Sequence, residues 1–531
     1  MDPEHPRGPF AFSVHNGVAP SVGLRAVAFG FLAGVGLRSF VREVAVDHGY
    51  TDQPWALPTL VVSGLGAVAL LIILKERGSR SFVLVSLGTI ALLGGFFRFQ
   101  FSIARQPVMP QSPEVLRGTV IGLPKTFRRA TAFPLELAGG GTVAVSIPTV
   151  DSGRDLHLGT RIEVFCRIHE DTAHALHAER AVYSQRFRAE SEGRVGQCAA
   201  RRFRVAQAPS WWYRLRAVPE RARAWIAGRV EASMHGQAGE MLRSFAFGTD
   251  PNIDPATIEA FRRAGTLHIL VVSGSQFSLL ASIIESLGSV VSLAPSVVAG
   301  STAALLGFFL AMIGAPAAAV RGYSASLSVT AARILQRPRA GLHVLLLIAA
   351  GMVFARPWLL VFNLGFQLSV LASAAIIAFT RPIDDWLLDR FRWQRFGSIR
   401  GIAASSLAAI AATAPLLGWA FGSVSLVSPV ANVAALVLAP SLLLVSLAFS
   451  SVAVLSLPLA TALSPLPSIA FQIFTELIRA FADAPVSSVS LGAIPTAVIA
   501  AYYALFFLVV SRAGRAALSV SPRSGIVVPR S

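Results

Sequence analysis

Apolar positions along this chain fall into two blocks, separated by a stretch in which polar and apolar residues alternate. The first block holds three uninterrupted runs, at residues 18–40, 57–74 and 82–101. Each reaches the roughly 20 residues that a helix needs to cross a bilayer. The alternating stretch covers residues 105–205. Short β-like segments recur there at 115–123, 130–137, 142–148, 161–168 and 178–187. Pro124, Gly139-Gly140-Gly141 and Asp151-Ser152-Gly153 punctuate them as turns. Five short strands in so few residues predict a small β-barrel of OB-fold type, with a small sandwich as the competing arrangement. Residues 206–235 read as an amphipathic helix. Trp211, Leu215, Val218, Ala222, Trp225, Ile226 and Val230 recur at helical spacing. Arg214, Arg216, Arg221, Arg223 and Arg229 supply the polar side, and Pro219 is expected to kink or interrupt it. A helix lying on a membrane surface is the simplest reading, and a helix packed on the β region is the alternative.

The second block, residues 236–511, contains ten apolar runs: 266–290, 296–313, 317–335, 341–354, 358–379, 399–421, 424–440, 441–457, 468–482 and 494–510. Several are short or interrupted by Pro and Gly, which predicts broken or re-entrant helices around a cavity. The fold class is therefore a polytopic α-helical membrane protein with a small extracytoplasmic β-barrel (OB-fold-like) domain. Its regions are a three-span segment (1–104), the β domain (105–205), the interfacial helix (206–235), the multi-span domain (236–511) and a basic tail (512–531).

Composition supports this class. Hydrophobic residues make up 54% and charged residues 14% of the 531, against a usual charged share of about 25%. That excludes an ordinary cytosolic enzyme, a disordered chain or a disulfide scaffold. The N-terminal residues carry Asp2, Glu4 and Arg7 without a compact basic region, so the first run is expected to be retained as a span.

Charge adds sidedness. Loop 41–56 sets Arg42 against Glu43, Asp47 and Asp52, and loop 75–81 sets Lys75, Arg77 and Arg80 against Glu76. The positive-inside rule then predicts a cytoplasmic N-terminus and an outer location for residues 105–235. Loop 381–400, with five arginines and three aspartates, and the tail with Arg512, Arg515, Arg523 and Arg530 both read as cytoplasmic. Residues 102–235 nonetheless hold twenty Lys+Arg against twelve Asp+Glu, a net +8 on the presumed outer face. Topology rules do not account for that excess. A polyanion does, because guanidinium binds phosphate in a bidentate way, and anionic lipid headgroups are the alternative for 214–229.

Candidate chemistry is sparse. On one helix over 266–290, His268, Ser275, Ser278, Ser282, Glu285, Ser286 and Ser289 share an arc of roughly 100°. Such a stripe faces water or a bundle interior, or it is satisfied by Ser-rich helix packing. A break at Ser273-Gly274 would weaken it. Arg321 costs about 2.5–3.5 kcal/mol at mid-membrane. That implies a partner such as Glu285, an anionic substrate, or a position near the edge that lets it reach headgroups. Asn363 and Gln367, four residues apart, are suited to bonding across helices or to lining a cavity. Cys166, His169, His174 and His177 match no well-defined zinc pattern, and no metal or other cofactor is expected. No P-loop is present. Cys166 and Cys198 are a possible disulfide pair in an oxidising compartment.

Four stretches resemble ComEC-type competence proteins. They are Phe261–Gly274 (Phe-Arg-Arg-Ala-Gly-Thr-Leu-His-Ile-Leu-Val-Val-Ser-Gly), Gly314–Arg321 (Gly-Ala-Pro-Ala-Ala-Ala-Val-Arg), Gly365–Ser369 (Gly-Phe-Gln-Leu-Ser) and Ser428–Asn432 (Ser-Pro-Val-Ala-Asn) followed by Pro440. The resemblance implies a channel that passes single-stranded DNA across the cytoplasmic membrane in natural transformation, with an OB-fold that guides it. By match, the pathway residues are His268, Ser273, Gly274, Arg321, Phe366, Gln367, Ser369 and Asn432, to which the polar stripe adds Ser275 and Glu285. No catalytic residue is expected. The chain departs from the family in two ways. Ser275-Gln276 stands where the family often has Leu-His, and no metallo-β-lactamase-like segment occurs. The expected partners are therefore single-stranded DNA, membrane lipid, a separate nuclease, a DNA receptor and a cytoplasmic motor or single-strand-binding protein. A small-molecule or ion transporter is the rival reading, although no internal repeat is clear. A membrane enzyme would rest on His268 and Ser273 alone.

Overall fold

The computed structural model describes residues 115–207 with breaks, then 208–248, 253–335, 341–391 and 397–491 with short breaks, helical positions between 498 and 506, and a few positions before residue 96. The runs at 18–40, 57–74 and 82–101 fall almost wholly outside the described residues, as do the strand at 178–187, His174, His177 and the tail. The chain divides into two compact units, Met1–Arg105 with Leu346–Leu360, and Gln106–Leu345 with Val361–Ser531. In the first, helical residues include Ala28 and Ala91, and the rings of Phe31 and Phe354 lie 6.0 Å apart. The second unit holds the sheet and most of the helices.

Its N-terminal part is an eight-stranded sheet: β1 Val115–Val120, β2 Lys125–Thr126, β3 Ala130–Leu137, β4 Thr142–Pro148, β5 Arg161–Phe165, β6 Ile168–His169, β7 Arg194–Ala199 and β8 Arg202–Gln207. The order is β6-β7-β4-β3-β1-β5-β8, with β2 on β3. All pairs are antiparallel except β4 with β7. Alternation builds the core: Val143, Val145 and Ile147 of β4 and Ile162 and Val164 of β5 point inward against Leu116, Val120, Phe133 and Leu135. Among the described residues the sheet is an open path with β6 and β8 at its ends, not the closed barrel that the strand pattern predicts. Strands β7 and β8 are absent from the pattern-based set because Arg194, Gln197, Arg202 and Arg204 dilute their apolar signal.

Cys166 and Cys198 are joined by a disulfide with Cα atoms 5.9 Å apart, beside the Ile168↔Cys198 pairing of β6 and β7. It closes a loop over a sequence separation of 32. Cys198→Ser is therefore expected to destabilise the sheet by about 3 kcal/mol in the chain-entropy model. Limited proteolysis of the full chain with and without reductant checks this: equal cleavage within 115–207 in both would refute it.

Fourteen labelled helices follow the sheet among the described residues, beginning with α1 Trp211–Arg216, α2 Val218–Ser233, α3 Gln237–Phe247 and α4 Pro255–Arg263. A 3-10 turn, Leu267–Ile269, precedes α5 Gly274–Val290, α6 Pro295–Met312, α7 Ala317–Ile334 and α8 Gly341–Ala355. Then come α9 Leu359–Phe362, α10 Leu364–Phe391, α11 Gly397–Phe421, α12 Ser428–Leu455, α13 Leu457–Leu463 and α14 Pro465–Ala482. Among the described residues, four of these (α6, α10, α11 and α12) are long and apolar enough to cross a membrane, and a fifth crossing results if the 44° bent pair α13–α14 is one span.

Three sequence expectations need correcting. The runs 424–440 and 441–457 are a single helix, α12, which continues through Pro440. A proline inside an apolar helix loses one backbone bond, which packing against neighbours can offset. Most of the 381–400 loop is helical, because α10 runs through Pro382 to Phe391 and α11 starts at Gly397. The run 266–290 is broken at 270–273, so it is not one continuous span. Between α11 and α12, β9 Ser423–Ser425 pairs with β10 Ser488–Ser490, joining the start of α12 to the chain that follows α14.

Candidate functional site

The break before α5 places the first resembling stretch in space. Phe261 ends the apolar face of α4 and is fully buried against Phe474. Gly265 then takes a left-handed φ of +73°, where a side chain would meet Ser428 and Ser425. Thr266 closes the turn by donating its N–H to the Phe261 carbonyl at 2.9 Å. Ser244 of α3 donates to the Leu270 carbonyl at 2.8 Å. His268 sits on the 3-10 turn, outside α5, so it does not belong to the α5 face where a continuous helix would have put it.

The start of α5 is tied by Gln276, a buried residue singled out in the sequence only as a departure from the family. Its Oε1 accepts from the Ser273 N–H at 3.3 Å, and its Nε2 donates to the Phe245 carbonyl at 3.1 Å. The side chain standing where the family often has histidine is therefore a brace between α5 and α3. The hydroxyls of Ser273 and Ser275 are 2.7 Å apart. Ser275, Ser278, Ser282, Ser286 and Ser289 are exposed, while Phe277, Ala281 and Gly288 form the packed face. Ser282 and Ser289 donate back to the carbonyls of Leu279 and Ser286, at 2.8 and 2.7 Å.

Helices α5 and α7 touch backbone to backbone. A Cβ at Gly322 would lie 2.5 Å from the Gly274 Cα, and a Cβ at Gly274 would lie 2.6 Å from Arg321 Nη2. The Arg321 guanidinium thus lies over the first turn of α5, and its Nε donates to Ser369 Oγ on α10. Among the described residues, no carboxylate pairs with Arg321. Glu285, suggested by sequence as its partner, instead pairs with Arg333 and accepts from Thr330 Oγ1 at 2.8 Å. The reason is register. Helices α5 and α7 run parallel, with 274 beside 322 and 285 beside 333. Eleven residues at 1.5 Å rise then put Glu285 about 16 Å from the Arg321 level.

On α10, Asn363 Oδ1 caps the helix by accepting from the Phe366 N–H at 2.8 Å. Phe366 is buried and serves the core, while Gln367 and Ser369 are half-buried. Asn432 is buried on the second turn of α12, near the Ser428–Gly265 contact, and its Oδ1 has no hydrogen-bond partner among the described residues. Ser273, Gly274, Ser275, Arg321 and Ser369 therefore form one cluster. Asn432 lies one turn along α12 from Ser428, which meets Gly265, and Glu285 lies at the far end of the α5–α7 pair. Gly322 and Gln276 are absent from the sequence-based site set. The available signals were the adjacency of Gly322 to Arg321 and the place of Gln276 where the family often has histidine.

This cluster has no nucleophile–base pair. It is a guanidinium held by one serine, beside a helix N-terminus and two hydroxyls, which suits an oxyanion. Among the described residues no group of three metal-ligating side chains occurs, and Cys166 is engaged in the disulfide. Residues 245–515, which contain nearly all of the cluster's supporting elements, match the family model described as Competence protein. No curated protein and no solved structure matches the chain.

Proposed function

Because that match covers just over half of its length, the chain belongs to the competence protein family, and we propose that it is the inner-membrane channel through which single-stranded DNA enters during natural transformation. The observation that carries this reading is the Gly274–Arg321–Ser369 convergence, which sets a cation among apolar helices with no carboxylate partner among the described residues. A DNA strand carries one charge per nucleotide, and a bare phosphate in hydrocarbon is prohibitively costly. A route for it must offer water, hydroxyls and few strong charges, so that exit stays as easy as entry. Ser273, Ser275 and the exposed serines of α5 suit that role. The sheet, an OB-type module in this reading, receives the strand on the outer face. The basic excess of residues 102–235 supports this. In this reading the chain acts as a conduit. A separate nuclease, a surface DNA receptor and a cytoplasmic motor or single-strand-binding protein complete the process.

Labelled DNA offered to a strain lacking the gene tests this. Surface-bound label should persist while nuclease-resistant label disappears, and the intact gene should restore it. Wild-type internalisation without the protein would sink the proposal. Loss of a small-molecule uptake activity with normal DNA entry would favour the transporter reading.

Sidedness has its own test. Helices α10, α11 and α12 follow one another through short connections, so the C-terminal ends of α10 and α12 share one end of the bundle. Arg229 of α2 donates from Nε to the Ala453 carbonyl near that end, at 2.9 Å. The outer location proposed for 105–235 then extends to the C-terminal end of α10. The link between α10 and α11 holds Arg392 and Arg395 and no acid, so this topology runs against the charge signal that read as cytoplasmic. An impermeant maleimide is expected to label Ser210→Cys and Gln394→Cys alike in intact cells. Labelling of one alone would reject this topology.

A further inference from the structure

The arm formed by α1 and α2 leaves a row of large apolar side chains uncovered. Trp211 is 73% exposed, Trp212 54%, Leu215 56%, Val218 45% and Trp225 57%. Arg214, Arg216 and Arg221 are exposed beside them, and Glu220 is the one acid between residues 210 and 230. The two helices stay nearly collinear. Ala217 bridges them by donating to the Tyr213 carbonyl and accepting from the Arg221 N–H, both at 2.9 Å. Pro219 sits in the first turn of α2, where its missing N–H costs nothing.

The arm is fastened at both ends. Tyr213 packs over Gly159 of the sheet region. Val230 is fully buried in the helical core, and Arg229 holds the Ala453 carbonyl. That second anchor sets a depth. Helix α12 has 28 residues, about 42 Å at 1.5 Å per residue, against a hydrocarbon core of about 30 Å. Its last turn, with Ala453, therefore reaches the headgroup level. Leu455, 83% exposed, and Leu459 of α13, 51% exposed, continue an apolar surface there.

We infer that the α1–α2 arm lies in the bilayer interface, its indoles seated at headgroup depth and its arginines on anionic lipid phosphates. Indole is suited to that zone because its ring is apolar while its N–H keeps a polar partner. The exposed Arg214, Arg216 and Arg221, set against one glutamate, supply the charge complementarity. Lipid is favoured over nucleic acid because the uncovered row continues the lipid-facing end of α12 and α13. This inference does not depend on what the protein transports.

Indole emission of the full-length protein in nanodiscs tests it. Discs would contain phosphatidylcholine with phosphatidylglycerol, brominated either near the headgroup or deep in the chains. Shallow bromines should quench more than deep ones. The excess should vanish in the Trp211→Phe, Trp212→Phe, Trp225→Phe variant, which removes three of the eight tryptophans. Arg214→Gln with Arg216→Gln and Arg221→Gln should reduce the excess and abolish its dependence on phosphatidylglycerol. Equal quenching at both depths, or a shallow excess that persists in the triple phenylalanine variant, would overturn the inference. So would indoles untouched by brominated lipid whose emission changes on adding a single-stranded oligonucleotide, which would assign the arm to nucleic acid.

Discussion

Gly322→Ala is expected to be among the most damaging single-methyl changes in the helical domain. The added Cβ would lie 2.5 Å from the Gly274 Cα and 3.1 Å from its carbonyl oxygen. Both are backbone atoms, so relief requires α5 and α7 to part. Overpacking of this kind costs about 1–3 kcal/mol. Here it also displaces the Arg321 guanidinium and the Glu285–Arg333 pair, which depend on the same parallel register. Gly274→Ala is expected to be milder for stability. Its shortest contact is to Arg321 Nη2 at 2.6 Å, the end of a flexible side chain. Its effect should appear in DNA entry, because Arg321 must move. Thermal unfolding in detergent and membrane levels separate the two. A Gly322→Ala protein as stable as wild type would show that the helices do not meet at this crossing.

Arg321→Ala should lower DNA internalisation while leaving insertion and surface binding intact. A charge-assisted hydrogen bond is worth about 1.5–3 kcal/mol, so a loss of roughly ten- to a hundredfold follows. The geometry also separates charge from shape. Nε is engaged by Ser369, which leaves Nη1 and Nη2 to meet a phosphate. A lysine has one ammonium group and cannot hold Ser369 and present a planar fork at once. Arg321→Lys is therefore expected to fall close to Arg321→Ala. Ser369→Ala, which only frees the guanidinium, should be milder. Normal membrane levels with normal uptake in Arg321→Ala would reduce Arg321 to a packing residue, and the proposed route would lose its best-supported member.

The order and type of most long helices and of β1, β3, β4 and β5 were legible in the chain because both depend on short-range periodicity, whereas α3, α4, β7 and β8 carry too short or too polar a signal. Apolar runs mark the long helices, alternation marks β3, β4 and β5, and a proline beside exposed indoles marks the α1–α2 arm. The resembling stretches were readable as residues, but not as neighbours. That Gly274 meets Gly322, that Arg321 holds Ser369 while Glu285 goes to Arg333, and that Gln276 braces α3 are results of helix crossing and register. No local pattern encodes these. The same holds for β7, whose parallel pairing with β4 joins segments some fifty residues apart, and for α12, whose passage through Pro440 depends on the helices around it. A span's existence follows from the apolar surface that it must bury. Which polar groups that burial brings within bonding distance is settled only when the helices pack.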